Sequence, residues 1–400
     1  MYKIDSPHAT EFIDDAEIKA TLEYAEANKN NIELVNSLIT KASFCKGLSH
    51  REAAVLLLCH DPQVRDRIHN LAREVKKRFY GNRIVLFAPL YLSNYCVNGC
   101  VYCPYHAKNT QLPRKKLTQD EVRSETIALQ DLGHKRLALE SGEHPVETPI
   151  EYILECIHTI YTTHHKHGSI RRVNVNIAAT TVENYKKLKD AGIGTYILFQ
   201  ETYHKENYER LHPTGPKSDY AWHTEAMDRA QTAGIDDVGC GVLFGLSPYA
   251  YDFVGMLMHA EHLEACFGVG PHTISVPRIR PADDIDPRAF PNAVADEDFL
   301  HIIACIRLAV PYTGMIISTR ESPAVRAEAL HLGISQISGG SRTSVGGYAE
   351  SDKDTAQFET NDTRSLDQVI AWLIEMGYIP SFCTACYRAG RTGDRFMSIC

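Results

Sequence analysis

Three cysteines form the most chemically distinctive motif in this sequence. Cys96, Cys100 and Cys103 are separated by three and by two residues, and they follow an apolar run that begins at Ile84. This spacing fits a short loop, in which the three sulfurs can converge on one soft metal centre. Thiolates favour zinc or iron–sulfur centres, and a structural zinc ion has a closed shell of four protein ligands. Three ligands leave one position open, so the motif predicts a centre that does chemistry; the alternative is a zinc site completed by His106.

The composition indicates a soluble protein. The chain has 400 residues, 44% of them hydrophobic, which is ample for one large barrel with appendages or for two domains. A formal net charge of −8 argues against a dedicated nucleic-acid-binding protein, and the basic run from Arg114 to Lys116 is interpreted as a solvated surface. Neither a signal peptide nor an apolar stretch of membrane-spanning length is present, so we expect a cytoplasmic protein without a membrane partner.

The cysteine content favours reduced thiols. Twelve cysteines without a signal peptide point away from disulfides and toward metal ligation. Isolated cysteines in helical or strand patterns usually behave as small buried hydrophobes, and we expect this of Cys45, Cys59, Cys156, Cys240, Cys266 and Cys305.

The elements that must position these residues follow an alternating pattern. Helical patterns cover the first 80 residues and include a capping box from Ser49 to Glu52. Strand-like runs then alternate with amphipathic helices, which predicts an α/β fold, a (β/α)8 TIM-type barrel with a helical N-terminal extension; a six-stranded partial barrel is the alternative. The predicted strands are Ile84–Tyr91, Arg136–Ser141, Arg172–Ala178, Gly194–Gln200, Asp237–Phe244, His272–Ile279, Thr313–Ser318 and Gly333–Ser338.

Polar residues follow several of these strands. The active site of such a barrel lies at the carboxyl ends of the strands, where Glu143 follows the second strand, Glu201 the fourth and Arg320 the seventh. Arg320 is the best candidate to bind a substrate carboxylate, because its planar guanidinium can donate two parallel hydrogen bonds. Ser338, at the end of the eighth strand, could bind the same group. The alternative for Arg320 is a salt bridge with Glu321 at the rim.

The C-x3-C-x2-C spacing, with Tyr102 just before the last cysteine, resembles the radical S-adenosylmethionine (SAM) enzymes. The resemblance implies that Cys96, Cys100 and Cys103 hold a [4Fe–4S] cluster whose fourth iron binds the amine and carboxylate of S-adenosylmethionine. It also implies that Glu143 faces the methionine amine and Glu201 the ribose or methionine groups, with Tyr102 beside the cofactor. The alternative for Glu143 is a solvated loop acid.

A narrower resemblance covers nearly the whole chain. The Cys96 motif followed by Pro104, the strand up to Arg278, the segment from Ile317 to Glu321, and the C-x-x-C pair Cys383 and Cys386 are similar to the HydG family of [FeFe]-hydrogenase maturases. This resemblance implies an enzyme that cleaves L-tyrosine at Cα–Cβ, after a 5′-deoxyadenosyl radical takes a hydrogen from the amino group. The products are 4-cresol and dehydroglycine, and the family converts dehydroglycine to carbon monoxide and cyanide.

The same resemblance implies a second iron–sulfur cluster in a C-terminal domain. Cys383 and Cys386 match its first two ligands, and His272 matches a histidine that binds an extra iron there. A C-x-x-C pair alone fits half a zinc site or a redox pair equally well. The family's third tail cysteine would fall after Cys400, so the sequence is interpreted as truncated within that domain and the second cluster as doubtful.

The expected organisation is residues 1–82 as helical extension, 83–350 as radical SAM barrel, and 351–400 as the start of a partial helical iron–sulfur domain. Expected partners are tyrosine, S-adenosylmethionine, a reducing electron donor and other hydrogenase maturases, but not nucleic acid. Two alternative functions stay open: a 2-iminoacetate synthase for thiazole synthesis, which lacks the C-terminal cysteines, and a non-catalytic iron–sulfur scaffold.

Overall fold

The computed structural model describes residues 1–350 and 354–382, and its central feature is a closed barrel of parallel strands. Eleven described strands are present, eight of them in the barrel, and β1 pairs with both β2 and β10, which closes the ring. The predicted (β/α)8 fold is therefore confirmed, and the six-stranded alternative is wrong. In chain order the strands are β1 (Arg83–Ser93), β2 (Arg136–Ser141), β3 (His164–His165), β4 (Gly168–Ser169), β5 (Arg172–Asn176), β6 (Tyr196–Ile197), β7 (Val238–Gly241), β8 (Thr273–Ser275), β9 (Gly314–Ile317), β10 (Gln336–Ser338) and β11 (Ile379–Ser381).

Helices separate the barrel strands and cover them. A parallel strand covered by helices outside and by side chains inside is buried on both faces, which explains the nearly continuous apolar run of β1. The helices are α1 (Ala9–Phe12), α2 (Asp15–Asn28), α3 (Ile32–Ser43), α4 (His50–Leu58), α5 (Pro62–Tyr80), α6 (Gln119–Asp131), α7 (Ile150–Thr162), α8 (Val182–Asp190), α9 (Lys205–Leu211), α10 (Tyr220–Thr224), α11 (Ala226–Thr232), α12 (Tyr249–Phe267), α13 (Asp296–Ala309), α14 (Pro323–Leu332) and α15 (Leu366–Glu375), with short 3₁₀ turns at Pro216–Ser218 and Pro287–Ala289.

The N-terminal helices pack on the outside of the barrel. The predicted capping box is present at the start of α4, where Ser49 and Glu52 satisfy each other's backbone amides. His50 lies between two carboxylates, with Nδ1 2.7 Å from Glu261 and Nε2 3.1 Å from Glu17. These contacts join α2, α4 and α12, so the extension is anchored by charge as well as by apolar burial.

One predicted barrel helix is interrupted. The amphipathic pattern predicts a single helix from Asp219 to Ala233, but the structure breaks it into α10 and α11 at Glu225. The carboxylate of Glu225 accepts a hydrogen bond of 2.9 Å from the backbone amide of Ala9. The break thus marks the point where the start of the chain docks onto the barrel.

No described helix is long and apolar enough to cross a membrane.

A buried ion-pair cluster ties the segment after the barrel to the strand ends. Arg326 of α14 is fully buried and pairs with the equally buried Asp362, whose carboxylate also accepts from Arg364 at 2.6 Å. Arg326 donates in addition to the carbonyl oxygen of Ser338 at 2.6 Å. This network fixes residues 354–382 against β10, and β11 then pairs with the amino end of β1.

Removing the charge of Asp362 should destabilise the protein strongly. The substitution Asp362→Asn leaves the Arg326 guanidinium buried without a counterion, which costs about 3–5 kcal/mol of unfolding free energy. Chemical denaturation of both proteins measures this difference. The matched control is Asp286→Asn, which breaks an exposed pair with Arg288 and should leave the unfolding free energy nearly unchanged, because water screens such pairs. Equal effects of the two substitutions would contradict the structural role given to Asp362.

Candidate functional site

A cavity opens at the carboxyl ends of the barrel strands. Most of the predicted site residues line it together: Cys96, Cys100, Tyr102, Cys103, Glu143, Glu201, Arg320 and Ser338. These residues come from loops and strand ends that are far apart in the sequence, and barrel closure brings them to one mouth. His272 does not line this cavity, and Cys383 and Cys386 lie outside the described residues.

The three cysteines lie on the loop that follows β1. Burial raises the pKa of the Cys103 thiol to about 12 and also raises that of Cys100, with the neighbouring thiols adding to the shift. Because metal ligation requires thiolates, a bound metal would have to displace the protons of these thiols. Within the described residues, no group of three or more His, Cys, Asp or Glu side chains is arranged to hold a single metal ion. Three thiols that line one cavity match the three protein ligands of an iron–sulfur cluster with one open corner.

His106 does not complete a zinc site with these thiols. Its Nε2 lies 3.4 Å from Asp284, outside the cysteine loop. The loop is instead shaped by Arg114, whose guanidinium donates to the backbone carbonyls of Asn94, Tyr105, His106 and Asn109. The interpretation of Arg114 as part of a solvated surface is therefore wrong, because its donors close the loop from inside.

Glu143 faces the cysteine loop. Its carboxylate accepts a hydrogen bond of 2.6 Å from Asn98, which lies inside the cysteine motif, and its carbonyl oxygen accepts from the Val97 amide at 2.8 Å. Burial raises the pKa of Glu143, and Asn98 and Lys217 partly offset this. Gly142 permits the approach, because a Cβ there would collide with the carbonyl oxygen of Tyr95. The carboxylate is thus held in the cavity rather than in a solvated loop.

A buried ion pair joins Glu201 to Lys217 at 2.8 Å. Glu201 has φ of +69°, a left-handed conformation that is uncommon for a non-glycine residue and is found where surrounding structure imposes it. Burial opposes the charge on Lys217, but Glu201 outweighs it and the pKa of Lys217 lies above its ordinary value. The pair places one cation and one anion beside the thiols.

Tyr102 is fixed by a histidine behind it. Its hydroxyl lies 2.6 Å from Nε2 of His212, while Nδ1 of the same ring lies 2.7 Å from the carbonyl oxygen of Tyr208. Nδ1 therefore donates to the carbonyl and Nε2 accepts from Tyr102. Burial lowers the pKa of His212 to about 3, which keeps the ring neutral for this arrangement.

Arg320 is not engaged in the rim salt bridge that is its alternative role. Glu321 is buried and pairs with Arg278 and Arg280 instead. Within the described residues no carboxylate forms an ion pair with Arg320, whose guanidinium lies 3.5 Å from the ring centroid of Phe358. The Ser338 hydroxyl, in a side chain only 2% exposed, has no hydrogen-bond partner among the described residues. Both groups line the cavity and are available to a ligand.

His272 lies at the other end of the barrel. It precedes β8, and its Nδ1 is 3.2 Å from Asp237, which also pairs with Arg172 at 2.8 Å. Phe382, the residue before Cys383, packs against His134 just ahead of β2, at the same amino-terminal face. The structure thus separates His272 from the three cysteines by the length of the barrel.

Sequence reasoning missed several residues of the cavity. Asn98 and Lys217 have no distinguishing pattern, because their importance comes from partners 45 and 16 residues away. Glu140 belongs to the polar run that follows the second predicted strand, which places it at the mouth of the barrel. Its hydrogen bond of 2.6 Å from Asn176, across β2 and β5, has no signal in the sequence.

Two protein-family models match the chain. The Radical SAM superfamily model matches residues 90–253, and the Biotin and Thiamin Synthesis associated domain matches residues 275–379. The 2-iminoacetate synthase of Salmonella typhimurium is 33% identical over 313 residues, which cover 77% of this chain and 80% of that protein. The match to the radical SAM model therefore agrees with the parallel barrel of the structure.

Solved structures of hydrogenase maturases are similar over nearly all of the chain. The crystal structure of HydG, a maturase of the [FeFe]-hydrogenase, has 59% identity and a TM-score of 0.92, covering 97% of this chain and 84% of that chain. HydG from Carboxydothermus hydrogenoformans has 40% identity and a TM-score of 0.86, covering 98% and 87%.

The buried cysteines should react slowly in metal-free protein. The thiolate is the nucleophile toward iodoacetamide, so Cys100 and Cys103 should be alkylated more slowly than the exposed Cys266 and the partly exposed Cys45, by roughly tenfold or more at pH 8. Peptide mass spectrometry over time measures each site. Labelling of Cys103 as fast as Cys266 would contradict the described loop.

The isolated cysteines differ in burial. Cys45 and Cys266 depart from the expectation that they are buried, whereas Cys59, Cys156, Cys240 and Cys305 follow it.

Proposed function

We propose a tyrosine-cleaving function for this chain, which belongs to the radical SAM family that includes HydG and 2-iminoacetate synthase. The reaction is cleavage of L-tyrosine at Cα–Cβ to 4-cresol and dehydroglycine. The observation that carries the proposal is a cavity in which three thiols share one mouth with an arginine that has no ion-pair partner among the described residues. That arrangement can hold a cluster, its cofactor and the carboxylate of an amino acid together.

The residues fit a [4Fe–4S] cluster and S-adenosylmethionine. Cys96, Cys100 and Cys103 would bind three irons and leave the fourth open. When bound, the cluster and S-adenosylmethionine supply a 5′-deoxyadenosyl radical that takes a hydrogen atom from the amino group of tyrosine. Glu143, held by Asn98, is placed for the ammonium of the methionine moiety, and the Glu201–Lys217 pair for its ribose and carboxylate groups.

Substrate binding falls to the carboxyl ends of β9 and β10, next to β1 in the barrel. Arg320 would donate two parallel hydrogen bonds to the tyrosine carboxylate, and the Ser338 hydroxyl would donate a third. Tyr91 and Tyr105, whose hydroxyls bind Gln357 and the carbonyl of Thr355, hold residues 354–358 over this side of the cavity. The covered cavity excludes water and other quenchers from a reactive radical.

The fate of dehydroglycine separates two functions within the family. We favour conversion to carbon monoxide and cyanide for [FeFe]-hydrogenase maturation, because identity to HydG is 59% and identity to 2-iminoacetate synthase is 33%. The proposed site is a second iron–sulfur cluster that uses Cys383 and Cys386, with His272 as ligand of an additional iron. The buried position of His272 at the face where Phe382 packs supports this placement. We also propose the three-part organisation into an N-terminal extension, a barrel and a cluster domain that begins at residue 351. The proposed partners are an electron donor and other maturases.

Anaerobic reconstitution with iron, sulfide, a reductant, S-adenosylmethionine and tyrosine should give 5′-deoxyadenosine and 4-cresol. Each of Cys96→Ala, Cys100→Ala and Cys103→Ala should abolish both products, because each leaves the cluster with two protein ligands. The matched control Cys156→Ala removes a buried thiol outside the cavity and should retain activity. Cyanide and carbon monoxide in the wild-type reaction would support the maturase function, whereas dehydroglycine or its glyoxylate hydrolysis product alone would favour the 2-iminoacetate synthase function. If any of the three cysteine variants formed 5′-deoxyadenosine at the wild-type rate, the assignment of Cys96, Cys100 and Cys103 as cluster ligands would be overturned.

Arg320→Lys should weaken tyrosine binding while cofactor binding survives. Lysine keeps the positive charge but loses the planar pair of donors, so the dissociation constant for tyrosine should rise roughly 10-fold, as expected for loss of a charge-assisted hydrogen bond. Isothermal titration of reconstituted protein with each ligand separates the two effects. Unchanged tyrosine affinity would remove Arg320 from the substrate site.

A further inference from the structure

The cavity contains a second charged group besides those proposed to bind the cofactor and the substrate carboxylate. Glu140, at the end of β2, points into the same cavity as Arg320 and lies beside Tyr91 of β1 in the strand register. Its carboxylate accepts a hydrogen bond of 2.6 Å from the amide of Asn176 on β5. Among the described residues it forms no ion pair. Glu140 is therefore a half-buried acid held in place by a neutral partner.

Glu140 and Arg320 carry opposite charges but do not form an ion pair with each other. Each lies close enough to influence the other's charge, yet no ion pair joins them. Burial raises the pKa of Glu140 to about 8, with Asn176 and Arg320 only partly offsetting the effect, and burial lowers the pKa of Arg320 from its ordinary value. Both shifts have the same physical cause, which is a charge in a desolvated cavity without its counterion. A ligand with one negative and one positive end would complement both groups at once.

An L-α-amino acid is such a ligand. Its carboxylate and ammonium are borne on one carbon atom, so a zwitterion that binds Arg320 and Ser338 through its carboxylate presents its nitrogen to a nearby acid. We propose that Glu140 binds the α-amino group of the substrate and accepts a proton from it, an inference that rests on the proposed tyrosine-cleaving function. The N–H bond breaks heterolytically, its electron pair stays on nitrogen, and the proton forms an O–H bond on the Glu140 carboxylate.

The proton transfer prepares the substrate for the next step. Loss of a hydrogen atom from an ammonium group would leave a positively charged nitrogen radical, whereas loss from a neutral amine leaves a neutral one. Proton transfer is most efficient when the pKa of the base approaches that of the donor, and a glutamate with a pKa of about 8 is closer to an ammonium than an ordinary glutamate is. The raised pKa thus suits Glu140 to this task.

The other titratable groups near Glu140 are already engaged. Tyr91, Tyr105 and Arg320 are the groups whose charge couples to it. The Tyr91 hydroxyl donates to Gln357 at 2.9 Å and the Tyr105 hydroxyl to the carbonyl of Thr355 at 3.2 Å. Burial raises the pKa of both phenols, and Arg320 does not release its proton. Glu140 is the member of this set whose pKa lies near neutral pH, and it can accept a proton in its carboxylate form, which predominates above a pH of about 8.

The test compares three ligands on wild-type protein and on Glu140→Gln, which keeps the shape and a hydrogen bond to Asn176. The ligands are L-tyrosine, its analogue without the amino group, 3-(4-hydroxyphenyl)propionate, and L-phenylalanine, which lacks the phenol. Binding is measured by isothermal titration calorimetry on protein reconstituted with its cluster and S-adenosylmethionine. The control variant is Glu359→Gln, which removes an exposed charge at the residue that directly follows the segment 354–358.

Wild-type protein should bind tyrosine roughly 10- to 100-fold more tightly than the analogue without the amino group, as expected for one charge-assisted hydrogen bond. Glu140→Gln should erase most of this difference, leave the affinity for the deaminated analogue unchanged, and keep the preference for tyrosine over phenylalanine. Retained binding of the deaminated analogue also shows that the variant is folded. Glu359→Gln should behave as wild type.

Two results would overturn the assignment of Glu140. One is a variant that still prefers tyrosine over the deaminated analogue; the other is a variant that instead loses its preference for tyrosine over phenylalanine, which would place the phenol at Glu140. Failure of wild-type protein to bind tyrosine at all would overturn the proposed function, and the role of Glu140 with it. The wild-type binding result therefore distinguishes failure of the function from failure of the residue assignment.

Discussion

Closure of the parallel barrel is the constraint on which the site depends. Because β1 pairs with both β2 and β10, the carboxyl ends of all eight strands meet around one opening. The cysteine loop after β1, Glu143 after β2 and Arg320 after β9 therefore face each other although more than two hundred residues separate the first from the last. The buried pair of Arg326 and Asp362 fixes one side of this opening, because Arg326 also donates a hydrogen bond to the carbonyl oxygen of Ser338 at the end of β10.

The distribution of charge separates groups that hold the structure from groups that serve a ligand. Glu321 is satisfied by two arginines and does not line the cavity, so this acid holds the structure. Arg320 and Glu140, in contrast, have no ion-pair partner among the described residues and share a cavity. An unpaired charge that is partly removed from water is costly in a folded protein. A ligand that carries the opposite charges would offset this cost at the carboxyl ends of the barrel strands.

Periodicity and spacing predicted the architecture and the cysteine loop, because both are local in sequence. The eight strands, the capping box at Ser49 and the gathering of Glu143, Glu201, Arg320 and Ser338 in one cavity are examples. The errors concern long-range partners. Nothing in the sequence shows that the Arg114 guanidinium donates to four backbone carbonyls. Nor does the sequence show that Glu225, where the predicted helix breaks, accepts a hydrogen bond from the backbone amide of Ala9. Asn98 and Lys217 could not be assigned for the same reason.

The central claim is that this cavity presents the amino nitrogen of tyrosine to the cofactor. Its most direct test is the deuterium content of 5′-deoxyadenosine formed in D₂O, where the N–H and phenol O–H hydrogens of tyrosine exchange with solvent and the C–H hydrogens do not. Mass spectrometry should find deuterium in the 5′-deoxyadenosine, and its formation should require tyrosine. Unlabelled 5′-deoxyadenosine in D₂O, together with transfer of deuterium from tyrosine labelled at Cβ, would show that the cavity presents a carbon instead and would contradict the account.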